Sequence, residues 1–363
     1  MKIAILLLNN NGDILYATPI ARQIKEHDFP DAHITWIVSQ QCSDILKNNK
    51  FIDDFEIVDL GNINEIYNGK WPIIENTYKQ KYKRGDYDKL FILQPYDYNF
   101  LKYKKGIRNM ILDSYPIPVK VSLRPIIYLS DREINNVAEF IKKNNIDKFD
   151  NRIIFEFAPG SGQSIISAPE AQAIAEQIVE DNSSTCIILA SKIALEISNK
   201  NIFNAQGLTF KENAELINHC TLLLGCSSGI TWLSTSEYCK PLPTVQFLNS
   251  HAPWFNSLKA DFEINHFDTS NIIELYDFDR ELIIKTVSYA LQNKFDKAKK
   301  EYDQKLKKKY LANNFYTISQ YFFASKSYKR SFVFFFKNIS VGYRFIMYNL
   351  RMFFSLCLKN ISL

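Results

Sequence analysis

The sequence predicts an α/β protein of two parallel-sheet halves that face each other across a cleft, followed by a basic, aromatic helical tail. Apolar runs of strand length alternate with helical patterns from the N-terminus to about residue 130, and the alternation restarts at residue 152. Such alternation is typical of βαβ units, whose strands form a parallel sheet. The third observation is the distribution of charge: the last acidic residue is Asp303, so residues 304–363 carry basic residues and no acidic ones. We therefore expect domains over 1–148 and 149–303 and a tail over 304–363.

The first half begins with the strand-like run "KIAILLL", which the runs "HITWIV", "FEIVDL" and "KLFILQP" follow. Between the first two runs, apolar residues from Ile14 to Ile24 recur at helical spacing. The stretch "NGKWPIIENTYKQKYKRGDYD" breaks the alternation, and we expect it to be an excursion over the sheet edge. After "SLRPIIYLS", Ser130 and Glu133 have the spacing of a capping box, in which each side chain binds a backbone N–H at a helix start.

The second half repeats the pattern with the runs "RIIFEFAPG", "TCIILAS", "TLLLGCSSG" and "LPTVQFL". Helices are predicted from Ser167 and from Thr209, because a glutamate three residues later completes a capping box in each case. Another helix is expected after "TLLLGCSSG". In parallel sheets of this kind, ligands bind beyond the carboxyl ends of the strands. With two halves, that region is the cleft between them.

Composition excludes several classes of protein. The chain is 46% apolar and 23% charged, which is typical of globular proteins. Its six cysteines include no CxxC pair, which argues against a structural zinc site or a disulfide framework and favours a reducing compartment. The N-terminal apolar run is too short for a signal peptide, and no run approaches the roughly 18 apolar residues of a membrane span. We therefore expect a cytoplasmic protein.

The first candidate site is the turn "NNNGD" that follows the first strand. A dinucleotide site would need three glycines there, so that the backbone can approach a pyrophosphate closely. Only Gly12 is present, and the carboxylate of Asp13 would repel a phosphate. Two interpretations remain open. Either Asp13 caps the following helix, or it accepts a proton from a reacting group.

Two loops of small residues follow strands of the second half: Pro159–Ser164 and Cys226–Thr231. Their backbone N–H groups and the helix starts behind them suit an anion such as a diphosphate. Each loop alone is better explained as an ordinary turn and helix cap, because Ser and Gly are common in both. Opposite a carboxylate in the first half, the two loops suit transfer of a group from a nucleotide diphosphate to a hydroxyl. The carboxylate would remove the proton while backbone donors hold the leaving diphosphate.

Two parts of the chain resemble the bacterial heptosyltransferases, the inverting GT-B glycosyltransferases of family 9. The first is "NGDILYATPIARQIKEHDFPDAHITWIVSQQCSDILKNNKFIDDF", which has the family's Gly-Asp, its Thr-Pro on the next helix and its "fPdAhI" strand. The second is "FAPGSG" together with "LTFKENAELINHCTLLLGCSSGITWLSTSEYCKPLPTVQF". The resemblance covers residues 1–60 and 150–250. It implies the GT-B fold, in which two Rossmann-like domains, an acceptor-side one and a donor-side one, face each other across a cleft.

The resemblance also implies a metal-independent inverting transfer from a nucleotide-diphosphate sugar, with Asp13 as the general base and no other cofactor. The residues it implies for the donor site are Gly12, Gly160, Ser161, Gly162, Ser227, Ser228, Gly229, Ile230, Thr231 and Trp232. The acceptor is expected to be a hydroxyl of a surface glycan, a lipopolysaccharide or other lipid-linked glycan, or a protein.

The chain departs from the family pattern in both donor loops. Where the family has Lys or Arg followed by Trp-Pro, this chain has Gln163, Ser164 and Ile165. Where the family has an aspartate and a histidine around Ser-Gly, this chain has Ser227 and Trp232. The "SG..WL" version is similar to the protein O-heptosyltransferases that modify autotransporters. ADP-heptose is therefore one donor to be weighed among other nucleotide sugars.

The tail predicts a membrane contact. It carries 11 Lys and Arg and no acidic residue, whereas the first 303 residues carry 33 basic and 39 acidic ones, a net charge of −6. Arg330, Lys337, Arg344 and Arg351 recur every seven residues and form one basic stripe among apolar side chains. Such a helix fits an in-plane anchor on an anionic membrane, and we assign that role to residues 324–363. A nucleic-acid contact, which would not need so many Phe, and an oligomer interface are the rival interpretations.

We therefore expect a cytoplasmic glycosyltransferase, peripheral at the inner face of the cytoplasmic membrane, with no nucleic-acid partner. Cutting the chain after Asn313 is expected to leave both halves intact. Two other classes remain open. A nucleotide-sugar 2-epimerase of GT-B fold would need further carboxylates and a histidine in the cleft, and would turn over the donor without an acceptor. A non-catalytic scaffold of the same fold would bind no nucleotide.

Overall fold

The first half is a parallel sheet with helices on both faces. Its elements are β1 (Lys2–Leu6), α1 (Asn11–Gln23), β2 (His33–Ser39), β3 (Asp54–Val58), α2 (Lys70–Lys83), β4 (Lys89–Ile92) and α3 (Ile107–Leu112). The strand order is β3-β2-β1-β4, and every pairing is parallel. This computed structural model describes residues 1–60, 70–103, 106–158, 163–164, 166–191, 193, 195–252, 254–292, 294–324, 329–330 and 333–334.

The expected excursion over the sheet edge is wrong, because α2 is a regular crossover helix between β3 and β4. Its buried residues Trp71 and Tyr78 are seven positions apart, and Ile74 between them packs on the same apolar cluster. Three apolar side chains at this spacing lie on one helix face. Pro72 lies in the first turn, where a proline costs no helical hydrogen bond.

The second half has a larger parallel sheet. Its elements are α4 (Asp131–Lys143), β5 (Asn151–Glu156), α5 (Ala168–Asp181), β6 (Thr185–Leu189), β7 (Ile202–Asn204), α6 (Phe210–His219), β8 (Leu222–Gly225), α7 (Gly229–Leu233), β9 (Thr244–Leu248), α8 (Leu258–Ile264), β10 (Ile272–Tyr276), α9 (Arg280–Leu291), α10 (Phe295–Tyr302) and α11 (Lys308–Ala324). The strand order is β10-β9-β8-β5-β6-β7. The sequence analysis did not predict β7, which has three residues, or β10, whose apolar run is interrupted by Glu274.

The structure confirms the predicted fold class of two parallel-sheet α/β halves. It also confirms the capping boxes that start α4, α5 and α6, since Ser130, Ser167 and Thr209 each accept a hydrogen bond from the backbone N–H of the glutamate three residues later. Helix α4 packs on α6, so it lies against the second half although it precedes residue 148. The domain boundaries themselves remain a prediction.

The described part of the tail belongs to the protein core. Asn314 on α11 is fully buried and donates to the hydroxyl of Tyr103 at 2.6 Å in the first half. The same side chain accepts from the backbone N–H of Phe255 at 2.6 Å in the second half. Side chains of Phe322 and Phe334 are buried beside it in the largest apolar cluster. The expectation that a cut after Asn313 leaves both halves intact is therefore wrong, because that cut would remove buried side chains.

Most of the predicted anchor, residues 324–363, lies outside the described residues. Of its four stripe residues, the structure describes Arg330, whose guanidinium lies 3.8 Å from the ring centroid of Tyr98. Within the described ranges, no helix has both the length and the apolar character needed to cross a membrane.

Candidate active site

Asp13 lies in the first turn of α1, immediately after the loop that follows β1. Its carboxylate accepts a hydrogen bond from the backbone N–H of Asn10 at 3.2 Å, and so contributes to the helix start. Burial raises the pKa of Asp13 from 3.8 to about 7, and the bond from Asn10 opposes that rise. A carboxyl with a pKa near neutrality suits proton acceptance at physiological pH. Capping and proton acceptance are therefore compatible roles for this side chain.

Open space adjoins Asp13 on the side of Gly12. A β-carbon built on Gly12 meets no atom within 4 Å. No neighbouring atom therefore requires glycine at this position, and a small side chain would fit there.

The Ser227–Trp232 loop leads from β8 into α7. The hydroxyl of Ser228 accepts from the N–H groups of Ile230 at 3.2 Å and Thr231 at 3.4 Å, which makes Ser228 the helix cap. The Thr231 hydroxyl donates to the carbonyl of Cys226. The hydroxyl of Ser227 is buried and has no hydrogen-bond partner among the described residues. Two of the backbone N–H groups that were expected to bind an anion, those of Ile230 and Thr231, thus already donate to Ser228.

Gly229 is one of the points where the two halves come together. A β-carbon on Gly229 would lie 2.9 Å from the ring of Phe210, so a side chain there would displace that ring. The β-carbon built on Gly229 would also lie 3.9 Å from the β-carbon of Asn11, two residues before Asp13. The structure therefore brings the Asp13 turn and the Ser227–Thr231 loop into contact, because α1 packs on α7.

Trp232 connects α7 of the second half to α1 of the first half. Its ring is 4% exposed and meets the ring of Tyr16 edge-on, with centroids 4.8 Å apart. Tyr16 lies one helical turn after Asp13 on α1. The described contacts of the Trp232 ring are thus contacts between the halves, and its expected role in donor binding stays a prediction.

Glu156, at the end of β5, is a residue beside the candidate site that was not predicted from the sequence. It is 3% exposed and accepts a hydrogen bond from the thiol of Cys226 at 2.9 Å. Burial raises its pKa from 4.5 to about 7, and hydrogen bonds from Cys226 and Ser228 oppose that rise. The available signal was a single glutamate inside the apolar run "RIIFEF", where a charged residue needs a specific partner.

The other predicted donor loop, with Gly160, Ser161 and Gly162, lies outside the described residues. The described Gln163 and Ser164 follow it and are half-buried. In the described ranges, no three His, Cys, Asp or Glu side chains are grouped so that they could hold a metal ion.

Solved structures of glycosyltransferases have the same fold. A family 9 glycosyltransferase from Veillonella parvula is 14% identical, with a TM-score of 0.55 over 85% of this chain and 92% of that one. The E. coli ADP-heptose lipopolysaccharide heptosyltransferase II is 13% identical, with a TM-score of 0.53 over 81% and 99%. The E. coli heptosyltransferase WaaC with ADP-2-deoxy-2-fluoro heptose is 10% identical, with a TM-score of 0.50 over 81% and 99%.

No protein-family model matches the sequence, and no curated protein matches it. At these identities the structural likeness establishes the fold alone. The class that the fold defines is GT-B, with two parallel α/β halves around a cleft.

Proposed function

We propose that this protein is an inverting, metal-independent glycosyltransferase that moves a sugar from a nucleotide-diphosphate donor to a hydroxyl of its acceptor. Asp13 is the general base. The Ser227–Trp232 and Gly160–Gly162 loops hold the donor diphosphate, and Gly12 leaves room beside the base. Deprotonation of the acceptor hydroxyl by Asp13 lets its oxygen attack the anomeric carbon as the bond to the diphosphate breaks. The diphosphate leaves toward the backbone donors of the loops.

One observation carries the proposal: Asp13, a carboxyl with a pKa of about 7, lies in the first turn of α1, and α1 packs on α7, the helix that the capped Ser-Gly loop begins. A β-carbon built on Gly229 would lie 3.9 Å from that of Asn11, two residues before the base, so the loop is in contact with the turn that carries Asp13. A heptose is the first sugar to test, because the sequence resembles the heptosyltransferases and their solved structures share its fold. Acceptors to test are surface glycans, lipopolysaccharide and proteins.

The pH dependence of turnover tests the assignment of Asp13. A base works only when deprotonated, so kcat should fall about tenfold for each pH unit below 7 and level off above it. Donor affinity should fall as the pH rises through 7, because Glu156 then ionises and adds negative charge next to the loop that holds the diphosphate. The measurement is kcat and the donor dissociation constant between pH 5 and 9.

Glu156→Gln provides the matched control for the pH experiment. This variant cannot ionise at position 156, so the donor dissociation constant should lose its rise above pH 7, while the pH profile of kcat stays. A kcat that is flat from pH 5 to 8 in the wild type would argue against Asp13 as the base.

Turnover should not depend on a divalent metal ion. The three cleft loops contain no Asp-x-Asp pair of the kind that can hold Mg²⁺ between diphosphate oxygens. We expect the rate in excess EDTA to stay within about twofold of the untreated rate, since the charge on the diphosphate is met by backbone donors. Loss of activity in EDTA, restored by Mg²⁺ or Mn²⁺, would contradict the metal-free mechanism.

Glu156 also favours a second candidate function, a nucleotide-sugar 2-epimerase. That reaction needs further carboxylates and a histidine in the cleft, and Glu156 is one such carboxyl, buried with a pKa of about 7 and hydrogen-bonded to the thiol of Cys226, next to the Ser-Gly loop. The two functions differ in their need for an acceptor. Turnover of the sugar nucleotide alone, with the nucleotide still attached to the product, supports the epimerase.

We propose further that the protein works at the inner face of the cytoplasmic membrane, held there by residues 324–363. The support is charge: the tail carries 11 basic residues and no acidic one, and the first 303 residues carry a net −6. Anionic lipid therefore attracts the tail and repels the rest of the chain.

A further inference from the structure

A buried ion pair joins the two halves close to the proposed base. Arg108 on α3 belongs to the first half, and Asp261 on α8 belongs to the second. The guanidinium Nη1 lies 3.0 Å from the carboxylate Oδ2, and the two side chains are only 1% and 6% exposed. The other guanidinium nitrogen, Nη2, donates to the carbonyl of Leu123, which lies between the two halves in the chain.

The same arginine contacts the helix that carries the base. The guanidinium carbon of Arg108 lies 5.7 Å from the ring centroid of Tyr16, three residues after Asp13 on α1. The ring of Tyr16 also meets the ring of Trp232 on α7 edge-on. A continuous line of contacts therefore runs from Asp261 through Arg108 to Tyr16 on α1 and on to Trp232 on α7.

This pair is an expensive way to hold two halves together. Burying two charges costs desolvation energy that their attraction does not always offset, and well-packed apolar side chains often serve stability as well or better. Here two polar atoms of the pair, Arg108 Nε and Asp261 Oδ1, also have no partner among the described residues. What a charged pair offers beyond apolar packing is geometric specificity, because it holds only at one distance and orientation.

Two pockets lie next to the pair. A cavity of about 260 Å³ is lined by Arg108, Leu258 and Phe262. A second, of about 730 Å³, is lined by Asn109, Leu123 and Asn265 on the other side of α3. Close packing is what normally fixes two surfaces in register. Where open pockets adjoin an interface, fewer apolar contacts share in fixing its register.

We propose that Arg108 and Asp261 are a positioning pair that sets how closely the two halves approach, and so holds the Asp13 turn against the Ser227–Thr231 loop. The proposal rests on the proposed function for its catalytic consequence, but not for its structural one. Without the pair, the cavities let α3 and α8 separate and the cleft opens. Displacing a base by about 1 Å costs up to about 100-fold in rate.

The test replaces both charges together, Arg108→Met with Asp261→Leu, so that no unpaired charge stays buried. The matched control is Arg22→Met with Glu237→Leu, which removes another ion pair between the halves at 3.0 Å, but a more exposed one. Spin labels on Tyr82→Cys of α2 and Lys285→Cys of α9, two exposed positions, report the distance between the halves. Cys357→Ser removes the cysteine outside the described residues, since the other five are buried.

In Arg108→Met with Asp261→Leu, we expect the distance between the two spin labels to be longer and more broadly distributed. The kcat should fall about 10- to 100-fold, and the donor dissociation constant should stay within about threefold of the wild type. The control should match the wild type in all three. If the double variant does not fold, Arg108→Lys, which keeps the charge but loses the planar fork, is measured in the same way. A distance distribution identical to the wild type's overturns the proposal, whatever the rate. Absence of wild-type turnover with any sugar nucleotide would count against the proposed function and leave the distance result to decide on the pair.

Discussion

Asp13→Asn should lose nearly all sugar transfer, by about 10²–10⁴-fold, while binding the donor as the wild type does. An amide cannot take a proton from the acceptor hydroxyl, so the loss falls on kcat. The donor diphosphate is assigned to the loops of the second half, so its affinity should change little. The measurements are turnover at saturating donor, and calorimetric titration of nucleoside diphosphate and nucleotide sugar into each protein.

Asp13→Ala is the matched variant that separates the base from the helix cap. Asparagine keeps an oxygen for the N–H of Asn10, whereas alanine does not, and the lost contact costs about 1 kcal/mol of stability. If the cap is what matters, asparagine keeps the activity and alanine loses it. If proton transfer matters, both lose it equally. Full activity in Asp13→Asn ends the base hypothesis.

The melting temperature gives an independent check of the Asp13 environment. Burial raises the pKa of Asp13, so its contribution to stability is fully present below the unfolded pKa and is lost as the pH rises through about 7. Asparagine carries no charge and has no such loss. Asp13→Asn should therefore melt at the wild-type temperature or above it at pH 8, and the advantage should vanish near pH 4.

The sequence allowed Asp13 to be singled out because its signal is local. A lone glycine beside a carboxylate, between a strand and a helix, can be recognised without knowing any distant contact. The capping boxes of α4, α5 and α6 were predictable for the same reason, since each spans four residues.

Glu156 and the Arg108–Asp261 pair could not be found in this way. The partner of Glu156 is 70 positions away, and Asp261 lies 153 positions after Arg108. Residue types at such separations carry no pattern, and only the folded chain brings them together. Helix α2 was not predicted for another reason. Its buried face is narrow, and its many exposed polar residues are equally typical of a loop.

A chain ending after Asn313 should fail to fold stably, whereas a chain ending after Phe334 should fold. The shorter one loses the buried side chains of Phe315, Ile318, Phe322 and Phe334. Deleting one buried Phe side chain costs about 3–5 kcal/mol, and a whole domain is stable by only about 5–15 kcal/mol. The measurements are expression in soluble form and urea unfolding followed by circular dichroism.

Single substitutions on α11 show whether this loss comes from packing. Phe322→Ala should lower the free energy of unfolding by about 3–5 kcal/mol, because its side chain is fully buried. Gln320→Ala, two residues earlier and exposed, should change it by no more than about 0.5 kcal/mol. Equal effects of the two would mean that α11 does not pack as described.

The chain that ends after Phe334 also isolates the membrane anchor. It keeps the folded core but lacks Lys337, Arg344 and Arg351, three of the four stripe residues. With Lys359, the shortened chain loses four basic residues. Each basic residue near an anionic surface contributes about 1 kcal/mol, so about 4 kcal/mol of attraction, roughly 800-fold in binding, is lost before any Phe is counted. The full chain should sediment with phosphatidylserine vesicles at low salt and much less with neutral ones, while the shortened chain should stay in the supernatant and still bind nucleotide. If both chains sediment equally, residues 335–363 are not the anchor, and if neither does, the protein does not work at an anionic membrane surface.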